Sequence, residues 1–137
     1  MRRIEGWEVK LRELIEAHRF QPFRFGTNDC ATMAARDYVI MLGETPKDFP
    51  SWRNASEADA LLKEADIETR TTASIGKPVD GWKMARRGDI VLIPSAFQSF
   101  SEMALAVCVG TLLASPGQTA ISFVPLSRGL KTWRIGD

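Results

Sequence analysis

Phe25-Gly26-Thr27-Asn28-Asp29-Cys30-Ala31-Thr32-Met33-Ala34-Ala35-Arg36-Asp37-Tyr38-Val39-Ile40-Met41-Leu42-Gly43 is the stretch whose reading decides the fold. Asn28 or Asp29 can cap a helix by accepting a bond from a free backbone N–H. Gly43 supplies a left-handed stop. A helix is therefore expected from Cys30 to about Leu42. Ala31, Ala34 and Ala35 keep part of its surface small, so it can lie close against another layer. The pattern is that of a buried helix with a cysteine in its first turn.

Upstream, Trp7 to Arg19 reads as a first helix, with Trp7, Leu11, Leu14, Ile15 and His18 on one face at helical spacing. Pro22 stops it, and Phe20, Phe23 and Phe25 form an aromatic connection expected to tuck into the core. Downstream, Glu44 to Asn54 has two prolines and no period, which predicts a loop. Ser56-Glu57-Ala58-Asp59 resembles a capping box, and Leu61, Leu62 and Ala65 then give a short third helix. Ile67 to Arg70 is expected as a strand, followed by a polar connection through Gly76 and Pro78.

From Arg87 onward the character changes. Ile90-Val91-Leu92-Ile93 after the Gly88-Asp89 turn is a buried-strand signal. Met103–Val109, Thr111–Ala114, Ala120–Val124 and Lys131–Ile135 are further strands, separated by Gly110, by Ser115-Pro116-Gly117, and by Pro125 with Gly129. Helices first and strands after predict an α+β fold, N-terminal helices packed on a C-terminal antiparallel meander sheet, in one domain over residues 1–137.

Composition narrows the function classes. The 137 residues are 45% hydrophobic and 26% charged, as in an ordinary globular domain. Eighteen basic residues against 17 acidic ones give a net charge of +1, which argues against nucleic-acid binding by bulk electrostatics. No signal peptide is recognisable, and the most apolar run, Ala104 to Ala114, is too short to span a bilayer as a helix. Synthesis in the cytoplasm and no membrane insertion are expected. Two widely separated cysteines, Cys30 and Cys108, and one histidine, His18, assemble neither a zinc site nor a disulfide framework. No metal or cofactor is expected.

Cys30 is the one serious candidate for chemistry. A helix N-terminus stabilises a thiolate and lowers a pKa that otherwise lies near ~8.5. Acyl transfer still needs a proton acceptor, normally a histidine on a neighbouring element. The plainer alternative is that Cys30 is a small buried hydrophobe.

The order of motifs adds information. Phe25-Gly26-Thr27-Asn28-Asp29-Cys30 opening a helix, then Gly88-Asp89-Ile90-Val91, then Ala104-Leu105-Ala106-Val107-Cys108-Val109-Gly110 resembles the NlpC-like cysteine peptidases. Those have a papain-like core and cleave peptidoglycan stem peptides. The chain is similar in particular to short histidine-lacking versions encoded among phage tail genes, which end in a tail such as Trp133-Arg134-Ile135.

The resemblance implies Cys30 as a vestigial nucleophile and Asn28 and Asp29 as binding residues. It puts Ala104 at the position of the catalytic histidine, and the third, orienting residue near Ala114 or Ser115. Ala31-Thr32 departs from the small Ser-Gly pair that usually follows the cysteine. General acid–base help is worth ~10²–10⁴-fold, so the expectation is a disabled peptidase: a structural or assembly component of a phage tail tip in the virion, made in the host cytoplasm. Its expected partners are other tail hub or tip proteins, with peptidoglycan as a further one. The alternatives are a cell-wall endopeptidase or amidase taking its base from His18 or a partner chain, and a module that binds peptidoglycan fragments without cutting them. Trp52, Phe97, Phe100 and Trp133 are candidates for contact with a protein partner, because aromatics concentrate binding energy.

Overall fold

The structure is a computed structural model and describes residues 1–95 and 102–136. Phe97 and Phe100 lie outside the described residues. Among the described residues four helices, α1 (Trp7–His18), α2 (Cys30–Leu42), α3 (Ala55–Glu64) and α4 (Ile67–Ile75), precede the whole sheet. The strands are β1 (Val79–Asp80), β2 (Ile90–Pro94), β3 (Met103–Cys108), β4 (Leu112–Pro116), β5 (Ile121–Pro125) and β6 (Lys131–Trp133), with a 3-10 turn at Leu126–Arg128. The α+β class expected from the sequence is what is found.

The helices follow from their ends and faces. α1 buries Leu11, Leu14 and Ile15. α2 is capped by Asp29 and closed by Gly43 at φ 76°, and buries Ala31, Met33, Ala34, Asp37, Met41 and Leu42. Its small residues let it lie on β3 and β4. The cap of α3 is Asn54, whose side chain accepts the Glu57 N–H, so that helix starts one residue before the expected box.

Two expectations from the sequence are corrected. Ile67 to Arg70 is the start of α4, not a strand: the Asp66 side chain accepts the Thr69 N–H at 2.8 Å and starts a helix despite the β-branched residues behind it. Phe20 does not enter the core; it is 79% exposed, with the Arg19 guanidinium over its ring.

All strand pairs are antiparallel, in the order β1-β6-β2-β3-β4-β5. β2 to β5 form the expected meander, but β6 crosses back to pair with β2, Ile90 opposite Trp133. The sheet is therefore a four-stranded meander extended on its other side by the C-terminal strand.

Both faces of β2 and β3 are covered, as their near-continuous apolar runs require. One face packs Ile90, Leu92, Leu105, Val107 and Ala114 against the helices. The other packs Val91, Ile93, Ala106, Cys108 and Leu113, with Ala104 beside them. Trp52 and Trp133 are 6% and 1% exposed and belong to the helix-side core. Both rings are therefore packed inside the domain and contribute to its core.

Candidate functional site

The site is built on the turn that enters α2. Arg24 and Asn28 exchange backbone hydrogen bonds of 3.0 and 2.8 Å across a tight reversal. Gly26 stands at its tip with φ +85°, in a region that favours glycine. A Cβ there would lie 2.8 Å from the Arg53 carbonyl oxygen and 2.9 Å from that of Trp52. The turn is thus pressed against the 50s loop, and only glycine permits the approach.

Asp29 is consumed by this architecture. One carboxylate oxygen accepts the Thr32 N–H at 2.8 Å and the other accepts the Gly26 N–H at 2.7 Å. The Thr32 hydroxyl oxygen in turn accepts the Asp29 N–H at 2.9 Å, which completes a reciprocal capping box. Asp29 is 1% exposed. Such a cap stabilises by about 0.5–2 kcal/mol, enough to explain the residue without a substrate. Asn28 is similarly occupied: its amide donates to the carbonyls of Pro22 and Gln21 at 2.8 and 3.3 Å, holding the connection from α1.

Cys30 is half-buried and is the first residue of α2. Its sulfur packs against Leu105 of β3. Burial pushes the thiol up to about 12; a backbone hydrogen bond from Leu105 opposes the rise, and the negative charge of Asp29 adds to it. The helix N-terminus does not overcome this. The partial exposure of the residue therefore does not translate into a hydrated, reactive thiol.

The strand register places the residues of the third motif. Ala104 packs on the face with Ala106 and Cys108, away from α2, whereas Leu105 shares the face of Cys30. Cys30 meets β3 at the Leu105 backbone, and strand alternation sets Ala104 on the opposite face of the sheet from the Leu105 side chain. Ser115 is buried and donates its hydroxyl proton to the Leu105 carbonyl at 2.9 Å.

His18 is the chain's one imidazole. The Arg36 guanidinium lies 3.2 Å from its Nε2, and its Nδ1 lies 2.9 Å from the Leu14 carbonyl. A guanidinium only donates, so Nε2 is the acceptor and the proton sits on Nδ1. Both nitrogens are engaged, and neither is offered to Cys30. Cys108 is plain core, 1% exposed. Among the described residues no group of three or more His, Cys, Asp or Glu is placed to hold a metal, and no helix is long and apolar enough to cross a membrane.

A second polar cluster was not foreseen. Asp89, fully buried at the turn before β2, accepts from the Arg3 guanidinium at 2.9 Å, the Ile135 N–H at 2.9 Å and the Arg86 N–H at 2.8 Å. Arg3 also donates to the Ile135 carbonyl at 2.8 Å and stacks on Trp7 with its guanidinium carbon 4.4 Å from the ring centre. The one signal in the sequence was the Gly88-Asp89 pair, read there as a turn.

A family model described as a domain of unknown function, DUF6950, matches residues 2–135. The chain belongs to the DUF6950 family. The matched span takes in every element described above, from Arg3 at the Asp89 cluster, through the Cys30 turn, to Trp133 in β6. DUF6950 membership therefore applies to the whole fold and not to one motif. Searches of curated proteins and of solved structures gave no match.

Proposed function

We propose that this DUF6950 domain is a degenerate NlpC-like domain without catalytic activity, serving as a structural or assembly component of a phage tail tip. The observation that carries the non-catalytic part is the surroundings of Cys30. The thiol is desolvated beside the Leu105 backbone, and the one histidine is held by Arg36 and Leu14. With the thiol at about 12, the thiolate fraction at neutral pH is on the order of 10⁻⁵, against a few per cent for an ordinary cysteine. A nucleophile so depleted, with no proton shuttle, gives no useful acyl transfer. The tail-tip part is supported by the order of motifs, Asp29-Cys30 at a helix start, Gly88-Asp89 before a strand and the Trp133-Arg134-Ile135 tail. A domain that keeps such a scaffold without its chemistry is suited to holding neighbours together, since fold does not require the old activity.

The test is alkylation of the native protein by iodoacetamide across pH, read by mass spectrometry on the wild type and on Cys30→Ser, with Cys108→Ala as background. At pH 7 the Cys30 thiol is expected to react at least ~10²-fold more slowly than in the urea-unfolded chain. Fast labelling with an apparent pKa below ~7 would show an activated thiolate and favour a cell-wall endopeptidase using a base from a partner chain. The tail role is tested separately: Cys30→Ala phage should keep full titre, whereas deletion of the gene should stop tail completion. Loss of titre in Cys30→Ala with normal particles would sink the structural reading.

A further inference from the structure

Asp37 is the strongest anomaly in the molecule. It lies in the middle of α2, is 0% exposed, and neither carboxylate oxygen has a hydrogen-bond partner among the described residues. Buried polar groups in proteins are as a rule paired, and a carboxyl with both oxygens orphaned needs an explanation. The charged and titratable groups around it come from three elements. They are Arg3 from the N-terminal arm, Asp89 from the turn before β2, and Cys108 from β3, with Arg86 behind them against Asp89. Arg3 is committed to Asp89, to the Ile135 carbonyl and to the Arg87 carbonyl. Arg3 at 2.9 Å and Arg86 at 3.5 Å thus both stand against the Asp89 carboxylate, while Asp37 beside them receives no bond from a described residue.

We propose that Asp37 is kept as a neutral carboxylic acid and forms, with Arg3 and Asp89, a proton-controlled latch that holds the N-terminal arm against α2. The arm runs alongside the C-terminal half of that helix, with the Ile4 N–H donating to the Met41 carbonyl at 2.7 Å. Met41 is one turn beyond Asp37 and fills the space beside Gly88, which Arg3 also lines. When Asp37 loses its proton, a second carboxylate charge appears in a buried site whose guanidinium groups, Arg3 and Arg86, are already engaged with Asp89. The relief is to hydrate the cluster, and the segment that would lift is the N-terminal arm, which covers it through Arg3 and the Ile4–Met41 bond. Burial and the neighbouring Asp89 favour the protonated form, while Arg3 opposes it.

The sign of the effect follows from linkage. The folded pKa of Asp37 lies well above its unfolded value of ~3.9. Its stabilising contribution is complete below about pH 4 and is lost as pH rises towards the folded pKa, by up to about tenfold in the folding constant per pH unit. Asp37→Asn removes this proton and should be insensitive to it. The difference between wild type and variant isolates Asp37 from the other carboxylates.

The experiment is hydrogen exchange by NMR between pH 5 and 9 on wild type, Asp37→Asn and, should the amide fail to fold, Asp37→Leu. In the wild type the Ile4 amide should lose protection with pH beyond the intrinsic tenfold rise in exchange rate per unit, and at each pH its opening free energy should lie below that of the β2 amides of Val91 and Ile93, which open only with the whole domain. In the variants both sets should follow the intrinsic rate. Identical pH profiles in wild type and variants would overturn the proposal. So would equal opening free energies for the Ile4 and β2 amides at every pH, which would mean that the arm opens only with the whole domain and that there is no latch.

Discussion

Asp89→Ala is expected to lower the stability of the domain by about 3–5 kcal/mol, a large share of the 5–15 kcal/mol that a domain of this size has. The carboxylate is fully buried and receives three donors at once, the Arg3 guanidinium and the N–H groups of Arg86 and Ile135. Truncation leaves the guanidinium without its buried counter-ion and two backbone donors without an acceptor. Because the pair is shielded from solvent, added salt should not change the loss, unlike a surface pair. Removing both charges is expected to be milder: Arg3→Met with Asp89→Leu should cost less than Asp89→Ala alone, since no lone charge stays behind. Urea midpoints for the three proteins, at low and high salt, decide the matter. A cost under about 1 kcal/mol for Asp89→Ala would mean that the cluster is hydrated and weak.

The second large effect is at the turn before Cys30. Gly26→Ala is expected to cost about 3 kcal/mol, combining left-handed backbone strain with a collision against fixed main chain. The new methyl group would meet the Arg53 and Trp52 carbonyl oxygens at 2.8 and 2.9 Å, and neither is the end of a flexible side chain. The 50s loop must retreat and draw buried Trp52 with it. Gly81→Ala is the natural control. Its φ is +73° and a Cβ there meets nothing within 4 Å, so only the backbone strain of about 1 kcal/mol remains. The two variants separate conformation from contact, and equal costs would show that the close approach at Gly26 carries no energy.

Much of the fold was legible because the local signals agree with one another. Asp29 and Gly43 bracket α2 in the sequence as they do in the structure, and Ile90-Val91-Leu92-Ile93 is a strand on any reading. α4 was not legible, because Ile67, Thr69, Thr71 and Thr72 suit a strand locally. The Asp66 cap and the burial of Ile67 and Thr71 override that preference. β1, two residues long and exposed, has no pattern of its own and exists only because β6 returns beside it. That return is a long-range event which no local window encodes.

At the candidate site, the position of Cys30 was legible and its surroundings were not. Which of Ala104 and Leu105 faces the helix depends on strand register, and a shift of one residue exchanges the two faces. Trp52 and Trp133 read as possible contact residues because burial of a residue in a loop or a short strand cannot be inferred from its neighbours. Asp37 looks in sequence like any polar residue on a helix; only the packing of Arg3 and Asp89 around it gives it a distinct character.

The bond from Arg3 to the Ile135 carbonyl joins residues 132 positions apart. Such a contact closes almost the whole chain, and the entropy of that closure is lost before the contact returns anything. It therefore belongs among the last to form, after the helices and the β2–β5 meander are in place. Interactions absent from the folding transition state govern how fast a protein comes apart and leave its rate of folding nearly untouched. The Asp89 corner thus sets the lifetime of the folded domain, and stopped-flow traces of Asp89→Ala should show faster unfolding with refolding almost unchanged.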